Sequence, residues 1–296
     1  MTEWTILGAG ALGCVMAGLL RQRGERVALM LSERHRSHFH PSLDMITLGG
    51  RHQLIQTQPR FAEQARQAEC LLVFTKAYQV VDALTGLQQL PTTAPIVLLH
   101  NGLGAAEQVQ ELFPHNPLIA GVSSHGAMKE GDWLVRHTGK GETWLGPLNE
   151  AAHAWAHLVK PLSAALGHAE WSEDIRLHQH RKLSINAVIN PLTACHNIRN
   201  GQLLEPRYAD VLEQLSEEVF QVMANLGETE SQDAFRRRLQ QVIELTATNY
   251  SSMHQDLVHG RKTENDYITG YILAHAGTQP VPVSSQLYRE IKRRGG

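Results

Sequence analysis

A glycine triplet, Gly8-Ala9-Gly10-Ala11-Leu12-Gly13, stands between the apolar stretch Trp4-Thr5-Ile6-Leu7 and a helix-forming run from Ala11 to Arg23. A strand that turns at once into a helix through G-x-G-x-x-G is compatible with few folds. In that setting Gly8 allows the tight turn, Gly10 lets the backbone approach a pyrophosphate, and Gly13 lets helix and strand pack closely. The free N–H groups and positive dipole end of the helix favour phosphate at the same point. Gly24 stops the helix, and Val27 to Leu31 reads as a second strand at the spacing of a mononucleotide-binding unit. Gly8, Ala9, Gly10, Ala11, Leu12 and Gly13 are therefore candidate dinucleotide contacts; the plain alternative is a glycine-rich turn that only packs.

Further along, Cys70-Leu71-Leu72-Val73-Phe74 and Ile96-Val97-Leu98-Leu99 are continuous apolar runs. Such runs suit strands covered on both faces by helices. The alternation of strands and helices predicts an α/β fold, a Rossmann-type doubly wound sheet. We place its end near Trp171, after a helix expected from Glu150 to Gly167. From Ser172 onward long helical patterns dominate, as in Ala209 to Leu226 and Ala234 to Asn249, with no convincing strand. The expected division is a dinucleotide-binding domain over 1–171 and a mostly α-helical substrate-binding and catalytic domain over 172–296.

Composition narrows the partners. With 27 Lys plus Arg against 29 Asp plus Glu, the net charge of -2 speaks against general nucleic-acid or anionic-membrane binding. The 42% hydrophobic content speaks against extended disorder. Cys14, Cys70 and Cys195 have no C-x-x-C spacing, so neither a disulfide framework nor a zinc knuckle is expected. The longest weakly polar stretch, Thr5 to Leu20, is shorter than the ~18 residues of a membrane span. A cytoplasmic chain is the expectation.

At the end of the second strand, Ser32-Glu33-Arg34-His35-Arg36 must read the adenosine ribose. A cation there pairs with the 2′-phosphate of NADP, whereas an acid accepts from the 2′-hydroxyl of NAD. Ser32 and Arg34 favour NADPH/NADP; Glu33 leaves NAD open. Lys76 and Asn101 follow strand ends, where ligands of open α/β sheets sit, although each is also an ordinary loop residue type.

The helical half contains Arg181-Lys182-Leu183-Ser184-Ile185-Asn186-Ala187-Val188-Ile189-Asn190-Pro191-Leu192-Thr193. Lys182, Asn186 and Asn190 fall at i, i+4 and i+8 and share a helix face. Their apolar neighbours draw that helix inward, where a buried amide without partners costs about 1–3 kcal/mol. Two amides and an ammonium in line make sense as the polar wall of a cleft for an oxygen-bearing ligand. Pro191 is expected to kink or end the helix. Tyr250 to Asp256 and Lys262 to Tyr267 are also unusually polar; Thr263 with Glu264 reads as a helix cap, and spacing alone does not give Glu264 a chemical role.

Together the glycine motif, Thr75-Lys76-Ala77, His100-Asn101-Gly102-Leu103-Gly104, the Lys182-to-Ala194 stripe, Ser251-Ser252-Met253-His254-Gln255-Asp256 and Thr263-Glu264-Asn265-Asp266-Tyr267-Ile268 resemble the ketopantoate reductase (2-dehydropantoate 2-reductase) family, over essentially the whole chain. The resemblance implies NADPH-dependent reduction of the 2-oxo acid ketopantoate in pantothenate synthesis. It implies Lys182 as the general acid and Glu264 as the residue that hydrogen-bonds the substrate hydroxyl and helps orient that lysine. It also implies Asn101, Asn186, Asn190 and Ser252 as substrate contacts, with Asn101 and Lys76 beside the cofactor. Two positions depart from the family pattern: Ser32 stands where an arginine is often found, and Thr269 where an asparagine often precedes Gly270. The rivals are a reductase of another branched 2-oxo acid and a dinucleotide-binding regulator without turnover. His153 and His157, i and i+4 on an expected helix, lack the third ligand of a zinc site, so no metal is expected. A monomer and a homodimer are both compatible with the helical half.

Overall fold

The computed structural model describes residues 2–295, with the side chains of Arg34 and His38 outside the described set. The chain divides into two compact units: the residues up to His100 with Ala105–Ile175, and Asn101–Gly104 with the residues from Arg176 onward.

The strands of the first unit are, in chain order, β1 (Glu3–Leu7), β2 (Arg26–Met30), β3 (Ser42–Ile46), β4 (His52–Gln56), β5 (Gln58–Arg60), β6 (Cys70–Val73), β7 (Ile96–Leu98), β8 (Leu118–Ser123), β9 (Gly126–Gly131), β10 (Leu134–Gly139), β11 (Thr143–Pro147) and β12 (Ala169–Trp171). An eight-stranded sheet runs β12-β11-β8-β7-β6-β1-β2-β5. Its strands from β8 to β5 pair in parallel, while β11 is antiparallel to β8. The order reverses between β1 and β6, which makes the carboxyl ends of those strands the ligand crevice of this fold. Every residue of β6 and β7 is buried, as the continuous apolar runs predict.

The glycine turn feeds α1 (Ala11–Gln22), whose buried residues pack in two directions. Met16, Ala17 and Leu20 join the core of the large sheet. Cys14 and Val15 join Leu43, Met45, Ile55 and Val135, on a second sheet of order β4-β3-β10-β9. That second sheet was not among the expected elements. In β3, Leu43 and Met45 are buried between the part-exposed Ser42 and Asp44, and in β4 only Ile55 is buried, because one face of this sheet meets α1.

The helix expected from Glu150 to Gly167 is instead a 3₁₀ segment, Glu150–Leu158, followed by an α-helix, Val159–Leu166. Pro161 explains the break, since it lacks an N–H and fits only the first turn of an α-helix. His153 and His157 consequently do not share an α-helical face: His153 pairs with Glu173 at 3.0 Å, and His157 Nδ1 lies 3.1 Å from the Ala154 carbonyl. Two shorter helices, Val80–Thr85 and Ala106–Leu112, complete this unit; with α1 and Val159–Leu166 they are α1 to α4 in chain order.

No strand occurs among the described residues of the second unit, which is built from α5 (Ile175–His196), α6 (Ala209–Asn225), α7 (Gln232–Leu245), α8 (Ser252–Val258), α9 (Thr269–His275) and α10 (Pro282–Arg293). Its core draws Leu183, Val188 and Leu192 of α5 together with Val219, Val222, Phe235, Leu239, Ile272 and Ile291. At about 1.5–3 kcal/mol for each fully buried large aliphatic side chain, this burial fixes which face of α5 points inward. The helix neither ends at Pro191 nor at Asn190 but continues to His196. Thr193 donates from its hydroxyl to the Ile189 carbonyl at 2.7 Å within the helix that continues past the proline. Helix α7 stops at Leu245, short of Asn249, because the carbonyls of Ala247 and Asn249 accept from the Gly201 and Asn200 N–H groups. No helix among the described residues is long and apolar enough to cross a membrane.

Candidate active site

In the first unit the three glycines do three different things. Gly8 has φ +107°, and a Cβ there would lie 2.8 Å from backbone atoms of Phe74 and Thr75. Gly13 packs so tightly that a Cβ would lie 2.2 Å from the Gly8 carbonyl oxygen. Gly10, by contrast, is exposed and would meet no protein atom within 4 Å. It is the N-cap of α1, has no side-chain capping bond, and the first helical turn carries no acidic residue. The N-terminal N–H groups of a helix left in that state suit an anion. Beside this turn, the Thr75 hydroxyl is buried without a partner. The open space at Gly10 and the orphaned Thr75 hydroxyl fit a dinucleotide lying with its pyrophosphate over the turn. Ala9, Ala11 and Leu12 lie in the same loop and first helical turn, and Lys76 is the N-cap of the short turn Ala77–Gln79.

At the end of β2, Ser32 is exposed and its Oγ lies 2.9 Å from His35 Nδ1. Arg36 pairs with Glu33 and Glu63, each at 2.7 Å, and its guanidinium covers the Phe61 ring at 3.7 Å. The Arg36 hydrogen bond holds the Glu33 carboxyl below its ordinary range. Glu33 is thus already engaged by a cation of its own chain. The Arg34 side chain lies outside the described residues.

In the second unit, α5 carries Lys182, Asn186 and Asn190 on one uninterrupted helix. Lys182 and Asn186 are half-buried, and Asn190 is only 6% exposed. Burial pushes the Lys182 ammonium down to about 8, against the opposing charge of Glu264, which raises it. Glu264 itself is 3% exposed, and accepts from Asn101 Nδ2 at 3.4 Å. It does not sit in the first turn of a regular α-helix: it is the N-cap of the single turn Asn265–Tyr267, while Thr263 accepts from the Asn265 N–H at 3.3 Å. Burial costs an ionised carboxylate its hydration, a cost that capping a turn at the surface does not require.

Asn101 reaches Glu264 because the segment Asn101–Gly104 belongs to the helical unit. The Leu103 N–H donates to the Tyr267 carbonyl at 2.9 Å. Gly102, at φ +77°, lies against the same residue, where a Cβ would come 2.5 Å from the Tyr267 carbonyl oxygen. A side chain at 102 is excluded both by conformation and by space.

Ser252 is exposed at the first position of α8. Its neighbour Ser251 is buried, caps α8 by accepting from the His254 N–H at 3.1 Å, and lies 2.8 Å from the Thr193 hydroxyl. Thr193 is i+11 from Lys182, about three helical turns on, so it shares the Lys182 face. The link from Thr193 to Ser251 was not anticipated; the spacing was its only signal. Thr269 is buried, and its hydroxyl has no partner.

The family described as ketopantoate reductase PanE/ApbA matches residues 4–150, and ketopantoate reductase PanE/ApbA C terminal matches residues 174–294. The chain is 37% identical over 296 residues to the 2-dehydropantoate 2-reductase of Salmonella typhimurium, covering 98% of this chain and 94% of that protein. It is 34% identical over 290 residues to the 2-dehydropantoate 2-reductase of Vibrio cholerae, covering 97% and 96%. Among solved structures, a D-mandelate dehydrogenase in a ternary complex with NADH and anilino(oxo)acetate has a TM-score of 0.91 at 23% identity, over 99% of this chain and 98% of that one. At that identity the likeness establishes the fold alone.

Proposed function

The chain belongs to the ketopantoate reductase family, and from that membership we propose that it reduces ketopantoate (2-dehydropantoate) to (R)-pantoate with NADPH, in the cytoplasmic synthesis of pantothenate. The observation that carries the chemistry is the Lys182 ammonium on a polar helix face, with its acidity set between burial and the charge of Glu264. The glycine turn would hold the dinucleotide, which supplies hydride to the ketone carbon when bound. Engagement of Glu33 by Arg36 removes the acid that would otherwise favour NAD, and this supports NADPH as the reductant. The three cysteines are free, in keeping with a reducing compartment.

Negative charge grows on the ketone oxygen as the carbon is reduced. An ammonium at hydrogen-bond distance stabilises that charge and delivers the proton. Lys182 is suited to both tasks, because a donor with a pKa near the working pH is protonated and still releases its proton readily. Glu264 keeps the lysine charged, and Asn101 donates to the carboxylate and helps fix its orientation. Asn186 and Asn190 offer amides along the same face for the carboxylate and hydroxyl oxygens of the substrate.

The pH dependence follows with a definite sign. The acid form of Lys182 is needed for reduction, so kcat/KM should be maximal below about 8 and fall as pH rises through that value. Oxidation of pantoate should show the opposite limb. Glu264→Gln removes the charge that holds the lysine protonated and should move the fall to lower pH. Measured profiles that stay flat through this range in both directions would remove Lys182 from proton transfer.

A further inference from the structure

The residues that follow Glu264 turn away from the site and are gripped by the last helix. Asn265, fully buried, donates from Nδ2 to the Tyr288 carbonyl at 3.1 Å. Asp266 accepts from Tyr288 Oη at 2.7 Å and from Lys292 Nζ at 3.1 Å. Both partners sit one turn apart on α10. That helix is itself fixed at its start by a buried carboxylate on α6. Glu218, 7% exposed, accepts from the Val283 and Ser284 N–H groups at 2.8 Å each and from the Ser284 hydroxyl at 2.7 Å. Leu287 and Ile291 then bury the inner face of α10 in the helical core. Three consecutive residues are thus divided: Glu264 faces Asn101, while Asn265 and Asp266 are bonded to α10.

We propose that α10 is a positioning element for catalysis, in which Tyr288 and Lys292, acting through Asp266, fix the turn that presents Glu264 to Lys182. A short turn has few contacts of its own, so the direction of Glu264 depends on where the turn is anchored. The bonds to α10 are such an anchor: two charge-assisted bonds to one carboxylate and a buried amide bond beside it. Burial pushes the Asp266 carboxyl up, but the bonds from Tyr288 and Lys292 and the charges of Lys292 and Lys262 outweigh it and leave it below its ordinary value. The charge bearing on Lys182 is that of Glu264. None of Asp266, Tyr288 and Lys292 is assigned a contact with substrate or cofactor, so their effect is indirect.

This proposal rests on the reading of Lys182 and Glu264 given above, and its test keeps the two apart. Tyr288→Phe and Asp266→Asn are compared with wild type and with Gln286→Ala, an exposed position on the same helix. The Lys182 side-chain resonance is titrated by NMR in each, alongside steady-state ketopantoate reduction and thermal melting. Tyr288→Phe keeps the Asp266–Lys292 pair and so preserves folding where Asp266→Asn fails to do so. Both variants should titrate Lys182 at lower pH than wild type and lower kcat about tenfold, a size typical of indirect coupling through a packed network. The KM for NADPH and the Gln286→Ala enzyme should be unchanged. A Lys182 titration that is identical to wild type in folded Tyr288→Phe overturns the proposal, as does an equal shift in Gln286→Ala. A shifted titration in a protein that never reduces ketopantoate supports the positioning and rejects the functional reading instead.

Discussion

Lys182→Ala is expected to lower kcat by roughly 10²–10⁴-fold, the range for loss of a positioned general acid. The affinity for NADPH should hardly change, because the open glycine turn lies in the other unit. Two functions of the ammonium are combined in that loss: stabilising the oxyanion and donating the proton. Lys182→Arg separates them. Arginine keeps the positive charge but does not release a proton in proteins. It should recover part of the kcat lost in alanine, while the fall in rate near pH about 8 disappears with the titrating lysine. Turnover in Lys182→Ala close to wild type, with the fold intact, would exclude Lys182 from the chemistry.

The second large effect is expected at the glycine turn, where two conservative changes should separate folding from binding. Gly13→Ala places a methyl 2.2 Å from the Gly8 carbonyl oxygen, with no flexible side chain to give way. Overpacking of this kind costs about 1–3 kcal/mol, and the melting temperature should fall by several degrees. Gly10→Ala meets no protein atom within 4 Å, and the backbone at φ -78° accepts alanine without strain. Its melting temperature should match wild type. Its affinity for NADPH should nevertheless drop about tenfold or more, since the methyl occupies the space through which a pyrophosphate approaches the backbone. Calorimetric binding and a melting curve on each variant check both statements. Wild-type NADPH binding by Gly10→Ala would mean that the turn only packs.

The parts of this molecule that were legible in the sequence are those in which local pattern and tertiary environment agree. Strands β6 and β7 are buried on both faces, so their residues read as unbroken apolar runs. The Lys182–Asn186–Asn190 face was legible because a helical repeat is a local property. The sheet of β3, β4, β9 and β10 was not. Its strands bury one face only, and its β3–β10 pairing joins segments such as Asp44 and Leu134 that are distant in sequence. Helix α5 does not end at Pro191 for a related reason: the proline penalty is local, whereas the burial of Val188, Ile189 and Leu192 that carries α5 past it is tertiary. Glu264 showed the same limit. The sequence Thr263-Glu264 is a good capping pair, but the burial of Glu264 follows from the packing of Gly102 on Tyr267 and from the bond to Asn101, 163 residues away.

This contrast bears on how the site is built. The cation comes from a long helix whose orientation is fixed by its own hydrophobic face. The carboxylate comes from a single turn with little intrinsic preference, held by a glycine loop on one flank and by α10 on the other. The charge that opposes the burial of Lys182 therefore comes from Glu264, which reads as part of a helix cap in the sequence.

The most direct test is the rate of NADPH oxidation by the purified protein on addition of ketopantoate, with NADH as the comparison. The prediction is fast, saturable oxidation of NADPH, slower oxidation of NADH, and loss of both in Lys182→Ala. Binding of NADPH without any oxidation on ketopantoate would contradict the proposed reaction and direct the search to other 2-oxo acids.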